Sequence, residues 1–143
     1  MHKLAPIIIV DDDPDDQDMI KEVCTLLEIK NKLIWFNDGQ QVLEYLIDAT
    51  IQPFLILCDV NMPIIDGLKL RKIINDDETL RNKAIPFVFL STTANQAQVN
   101  SAYKMTVQGF FEKGYDFERL KRKIELIFEY WSECKHPNSF SEI

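Results

Sequence analysis

The sequence predicts one α/β domain, a parallel five-stranded sheet between two layers of helices, and three observations point there. Short continuous apolar runs, Ile7 to Val10 and Phe54 to Cys58 among them, read as strands buried on both faces. Amphipathic segments with apolar residues three and four apart, the helical period, lie between the runs. The two kinds of segment alternate five times, and because right-handed crossovers are close to obligatory, helices fall on both faces of a parallel sheet. At 143 residues the chain is the size of one ordinary domain and too short for two full cores.

Ile7 to Val10 forms the first strand and ends at Asp11. Pro14 follows Asp13 and precedes Met19, Ile20, Val23, Leu26 and Leu27, so Asp13 caps a helix with Pro14 in its first turn. Leu33 to Phe36 is the second strand, after which Asp38 opens a helix with Val42, Leu43, Leu46 and Ile47 on its inner face. Phe54 to Cys58 is the third strand, ending at Asp59, and a loop with Pro63 and Gly67 leads to a helix carrying Leu68, Leu70, Ile73 and Ile74. The connection from Asn75 to Pro86 is longer than its neighbours, and its Asp76, Asp77 and Glu78 suit either a helix end or a lid. Phe87 to Leu90 and Gly109 to Phe111 supply the last two strands. Between them Asn95 to Met105 is helical in pattern but weakly apolar, which predicts a loosely held helix. Phe117, Leu120, Ile124, Ile127 and Trp131 mark a firmly docked final helix, and Lys135 to Ile143 reads as a short polar tail.

Composition excludes several functions. A formal net charge of -7 argues against a nucleic-acid surface, which needs a basic face, and favours a cation or a basic partner. The one basic cluster, Arg119, Lys121, Arg122 and Lys123, has acidic neighbours in a helix and reads as a solvated face. No apolar run approaches the roughly 20 residues of a spanning helix, and Met1 to Pro6 lacks the apolar core of a signal peptide, so a cytoplasmic protein without a membrane role is expected. Cys24, Cys58 and Cys134 are odd in number and widely spaced, as in a reducing compartment, and packing is their expected role.

The chemistry-bearing residues all fall at one edge of the predicted sheet. Asp11 and Asp12 end the first strand, Asp59 the third, Ser91 the fourth and Lys113 the fifth. Ligands of open parallel sheets bind outside the carboxyl ends of the strands, where strand order reverses, and an order of 2-1-3-4-5 puts that point between the first and third strands. Three carboxylates gathered there repel one another unless a cation offsets their charge, and magnesium, a hard ion that keeps several waters and bridges to phosphate oxygens, suits them. No His or Cys accompanies them, so zinc and copper fit poorly. A cation, a lysine and a hydroxyl around Asp59 suit a phosphoryl group, and a carboxylate can serve as the nucleophile to give an acyl phosphate. Singly each residue has a plainer reading: Asp11 to Asp13 as a turn and cap, Ser91 and Thr92 as a cap, Lys113 as a surface lysine. Their joint placement at successive strand ends favours the chemical one.

The motifs IIIVDDDP, LCDVNMPIIDG, PFVFLSTT and GFFEKG closely resemble those of the receiver domain of two-component response regulators, the family of the chemotaxis protein CheY, over about residues 5 to 132. The resemblance implies the flavodoxin-like (βα)5 fold with strand order 2-1-3-4-5, an order that comes from the family and not from the apolar pattern. It implies Asp59 as phosphoacceptor, Asp12 as a direct metal ligand, Asp11 as a nearby or water-mediated one and Asn61 as donor of a backbone carbonyl, with Mg2+ or Mn2+ as the ion. Ser91 matches the switch hydroxyl, with Thr92 and Thr93 beside it should the fourth strand end later. Lys113 matches the lysine that pairs with the phosphoryl group, and Phe110 the aromatic whose rotamer reports the switch. A histidine kinase or phosphotransfer protein is the implied donor and a downstream protein the target, for a monomer or a homodimer, and the domain catalyses only its own phosphorylation and dephosphorylation. In place of the family's usual proline, Gly114 follows Lys113.

With residues 133 to 143 as a tail and no output domain, the chain is similar to stand-alone receivers, including those paired with bacterial phytochromes. Two other readings compete. One is a binding module of the same fold that works without phosphate, against which the complete acid pair, acceptor, hydroxyl and lysine stand. The other is a phosphatase of the haloacid dehalogenase kind, which usually carries a second acid two residues after its nucleophile, where this chain has Asn61.

Overall fold

The computed structural model describes residues 4–48, 50 and 52–135. Five strands, β1 (Ile7–Val10), β2 (Leu33–Phe36), β3 (Leu55–Cys58), β4 (Phe87–Ser91) and β5 (Gly109–Glu112), alternate with helices α1 (Pro14–Leu26), α2 (Gly39–Asp48), α3 (Gly67–Asp76), α4 (Glu78–Asn82), α5 (Gln96–Lys104) and α6 (Phe117–Glu133). All the strand pairs are parallel, and the order is β2-β1-β3-β4-β5.

Alternation along each strand divides the core between the two faces of the sheet. Ile7, Ile9, Leu55, Leu57, Val88 and Leu90 meet Ile20 and Val23 of α1 and Leu120, Ile124 and Ile127 of α6. Ile8, Val10, Ile56, Cys58, Phe87 and Phe89 meet Val42 and Leu46 of α2, Leu70 and Ile74 of α3 and Ala102 of α5. The three-layer sandwich expected from the alternation is therefore the observed one. β2 is an edge strand and is half-buried throughout.

Local chemistry sets the helix ends. The Asp13 side chain accepts from the backbone N–H groups of Asp15 and Asp16, with Pro14 in the first turn. Asp66, Asn95 and Asp116 cap α3, α5 and α6 in the same way. Asp38 accepts from the Gln41 amide at the start of α2.

The structure corrects several details. Ile47, expected on an inner face, and Leu26, one of the periodic apolar residues of α1, are exposed, and in α1 Cys24 takes a buried place beside Val23. The connection from Asn75 to Pro86 forms a separate short helix, α4, in which Asp77 caps the Leu80 amide and Leu80 enters the core. β3 begins one residue later than expected, while β4 and β5 each run one residue further. Cys24 and Cys58 are free and buried, and burial alone pushes the Cys24 thiol up to about 11. Among the described residues no helix is long and apolar enough to cross a membrane. The predicted tail beyond Lys135 lies outside the described residues.

Candidate functional site

The register of β1 against β3 aligns Val10 with Cys58, and the Asp59 amide donates to the Val10 carbonyl at 2.9 Å. Asp11 and Asp59 therefore leave neighbouring strands side by side, 2% and 4% exposed. On the other side of Asp59, Ser91 is the last residue of β4 and is buried, and its hydroxyl donates to Asp59 Oδ1 at 2.9 Å. Lys113 follows the end of β5, where its amide extends the sheet ladder to the Ser91 carbonyl at 2.8 Å. Strand pairing alone thus gathers two acids, a hydroxyl and a lysine from four elements.

The Lys113 ammonium is the centre of the cluster. Nζ lies 2.5 Å from Asp11 Oδ2, 2.8 Å from Asp16 Oδ2 and 3.3 Å from Asp59 Oδ2. Burial works against the charged form of Lys113, but Asp11, Asp16 and Asp59 outweigh it and raise its pKa above the usual lysine value. For Asp11 the balance runs the other way: burial outweighs Lys113 and the Asp13 amide and pushes the carboxyl up to about 6.

Carboxylate oxygens of Asp11, Asp16 and Asp59 lie within 4.8 Å of one another. The expected trio was Asp11, Asp12 and Asp59; Asp12 is exposed, next to the Asp13 cap, and Asp16 is the third acid grouped with Asp11 and Asp59. Asp16, which sequence reasoning missed, comes in from the first turn of α1. Its signal was its spacing, three residues after a predicted cap and so one helical turn back toward the strand end. With all three acids ionised, one lysine leaves the group two negative charges in excess, which a divalent cation at this edge would offset.

The remaining expected residues surround this centre. Asn61 is exposed; its amide lies 3.4 Å from Asp59 Oδ1, and its side chain donates to Thr93 Oγ1 at 3.3 Å, spanning the loops after β3 and β4. Thr92 is exposed and lines a small cavity with Asp16, Lys113 and Gly114, so in this state the hydroxyl on Asp59 is that of Ser91. Phe110 is half-buried with its ring 5.4 Å from that of Phe89. The Lys113–Gly114 peptide is trans, and Gly114 turns the chain at φ +77°, a left-handed conformation that glycine adopts without strain.

Comparison with known proteins supports the same grouping. The family model described as the response regulator receiver domain matches residues 7–125. A probable methanogenesis regulatory protein, FilR2 of Methanothrix harundinacea, is 32% identical over 129 residues, covering 87% of this chain and 82% of its own. The response regulator Rcp1 of a Synechocystis species is 29% identical over 132 residues, covering 89% and 88%. Among solved structures, the phosphorylated cyanobacterial phytochrome response regulator RcpA superposes with a TM-score of 0.83 at 28% identity, covering 93% of this chain and 98% of that one. The Mn(2+)-bound form of Rcp1 gives 0.81 at 27% identity, covering 92% and 97%. With strand order, edge chemistry and a family match along most of its length in agreement, the chain belongs to the response regulator receiver domain family.

Proposed function

We propose that Asp59 is the residue through which this chain performs its family's general function, phosphoryl acceptance in two-component signalling. The observation that carries the reading is the surroundings of Asp59: one carboxylate oxygen takes the Ser91 hydroxyl and the other faces the Lys113 ammonium, in a pocket that Asp11 and Asp16 make acidic. An Asp59 oxygen attacks the phosphorus of a phosphohistidine on a histidine kinase or phosphotransfer protein. The new O–P bond forms as the N–P bond breaks, and the electron pair returns to the imidazole. Lys113 then faces the added negative charge, and Ser91, already hydrogen-bonded to Asp59, is placed to follow the phosphoryl oxygens.

Asp11 and Asp59, with the exposed Asp12 and the Asn61 backbone carbonyl, are the residues that would hold Mg2+ or Mn2+, and such an ion would supply charge neutralisation on the transferring group. Two relatives support that ion and this setting, since one is a Mn(2+)-bound form and another a phosphorylated phytochrome response regulator. The output is a protein contact, on the face where α5, β5 and α6 expose Tyr103, Leu126 and Tyr130 around Phe110 and Trp131. The same face serves a homodimer if one forms. Hydrolysis of the acyl phosphate, with Asn61 and Thr93 flanking the approach of water, resets the domain.

The test is phosphorylation by acetyl phosphate followed by intact mass, on the wild type and on Asp59→Asn, with and without magnesium. The expected result is one added phosphoryl group that requires both Asp59 and magnesium. No adduct, together with no response to beryllofluoride, would instead identify a binding module that works unmodified.

A further inference from the structure

We propose that Asp16 is a positioning residue for Lys113, holding its ammonium so that the remaining N–H stays aimed at Asp59 and at the phosphoryl group Asp59 carries. This rests on the acceptor reading of Asp59 and extends it to a residue outside the strand-end set.

An ammonium has three donors. Here they face three carboxylates with unequal contacts, Asp11 at 2.5 Å, Asp16 at 2.8 Å and Asp59 at 3.3 Å. The two short contacts grip the head group, and the long one is the cheapest to exchange for a phosphoryl oxygen. Exchange of that contact alone leaves the lysine in place, so the grip is preorganised for the phosphorylated state.

The chain after Lys113 offers little restraint of its own. Gly114 is left-handed, with Lys123 Nζ 3.9 Å from where a Cβ would sit, and Tyr115 is 95% exposed. The Lys113 side chain is buried, so its stem is enclosed, and the carboxylates it meets set the direction of its head group. Asp11 is a shared anchor: its Oδ1 accepts the Asp13 amide, and it is among the residues assigned to the cation. A cation that draws on Asp11 also repels Lys113, which leaves Asp16 as the lysine's chief counter-charge.

Helix capping does not account for Asp16. Asp13 already caps α1, and the exposed Asp15 supplies an acid to the same first turn. Asp16 differs from Asp15 in being turned inward, onto Lys113.

A double-mutant cycle tests this. Beryllofluoride affinity in saturating magnesium is measured by titration for the wild type, Asp16→Asn, Lys113→Met and the double variant, with Asp16→Glu as the conservative change. Lys113→Met is expected to weaken binding about tenfold in the wild-type background and about twofold or less in the Asp16→Asn background, the non-additivity of residues acting as a unit. Asp16→Glu should restore part of the lysine's effect. A role confined to the helix end would lower the melting temperature of Asp16→Asn and leave the cost of Lys113→Met unchanged. An equal cost in both backgrounds, or a larger one without Asp16, would overturn the inference while leaving Asp59 as acceptor. No beryllofluoride binding by the wild type would overturn the acceptor reading and this inference with it.

Discussion

At the scale of single residues, Asp11 pays for its place between two buried strands. Its carboxyl is raised from 3.8 to about 6, so the folded chain holds that proton more tightly than the unfolded chain does. The resulting stabilisation is fully present below the unfolded value and is lost as pH rises through the folded one. At neutral pH an ionised Asp11 therefore costs the cation-free protein on the order of 3 kcal/mol, the free-energy equivalent of a shift of this size. Asp11→Asn should raise stability by about that amount near pH 7.5 without divalent cations, with the gain vanishing below about pH 4. Urea denaturation across that range checks it, and a less stable variant at neutral pH would mean that the Lys113 contact outweighs burial. The placement of Asp11, Asp59, Ser91 and Lys113 at one sheet edge was legible because it follows from where each strand stops. Asp16 was harder to read because its contact depends on how α1 is set against the sheet, and Asp12, next to the buried Asp11, is exposed.

At the scale of elements, the loop that follows Asp59 is held by the start of α3. The Gly67 amide donates to the Val60 carbonyl at 2.8 Å, and a Cβ on Gly67 would lie 2.1 Å from the Asp59 carbonyl oxygen. Neither backbone can yield without moving the other, because Asp59 is also paired to β1. Gly67→Ala should cost about 3 kcal/mol or more, in the range of severe overpacking, and should also slow acetyl phosphate labelling of the folded fraction. Near-normal stability with normal labelling would show that the loop can shift freely. Element type was legible wherever a strand or helix buried enough apolar surface to impose its period. Boundaries were less so: Leu26 and Ile47 belong to the apolar sets of their helices but lie beyond the buried stripe, as the 3.6-residue period drifts across a face. The short α4 lay in an ambiguous polar stretch whose cap, Asp77, also ends α3.

At the scale of the molecule, α5 is braced past its last turn by Arg71 and is mostly exposed in its first turn. Arg71 of α3 is buried, and burial lowers its pKa; it donates to the Met105 and Thr106 carbonyls just past α5 and lies over the Phe87 ring. The first residues of α5 follow the exposed loop after Ser91, and Ala102 is the buried residue of the helix, whereas α6 buries Leu120, Ile124, Ile127 and Phe128. The weak apolar pattern of Asn95 to Met105 foretold this difference, but the Arg71 brace was not legible, since a helix sequence does not show which carbonyls a neighbouring helix will find. Few buried contacts mean low local stability, so amide exchange should be faster in α5 than in α6. A phosphoryl mimic on Asp59 shifts α5 only if it interacts differently with two arrangements of the loop, and the Ser91 hydroxyl, 2.9 Å from Asp59, is the group positioned to sense it. Beryllofluoride should therefore alter exchange in the first turns of α5 and in β5 more than in the last turn of α5, which Arg71 holds. In Ser91→Ala, measured at beryllofluoride concentrations shown by titration to saturate the variant, that change should be lost. An undiminished response in the variant would move the coupling to Lys113 and the loop after β5, and with it the path from Asp59 to α5.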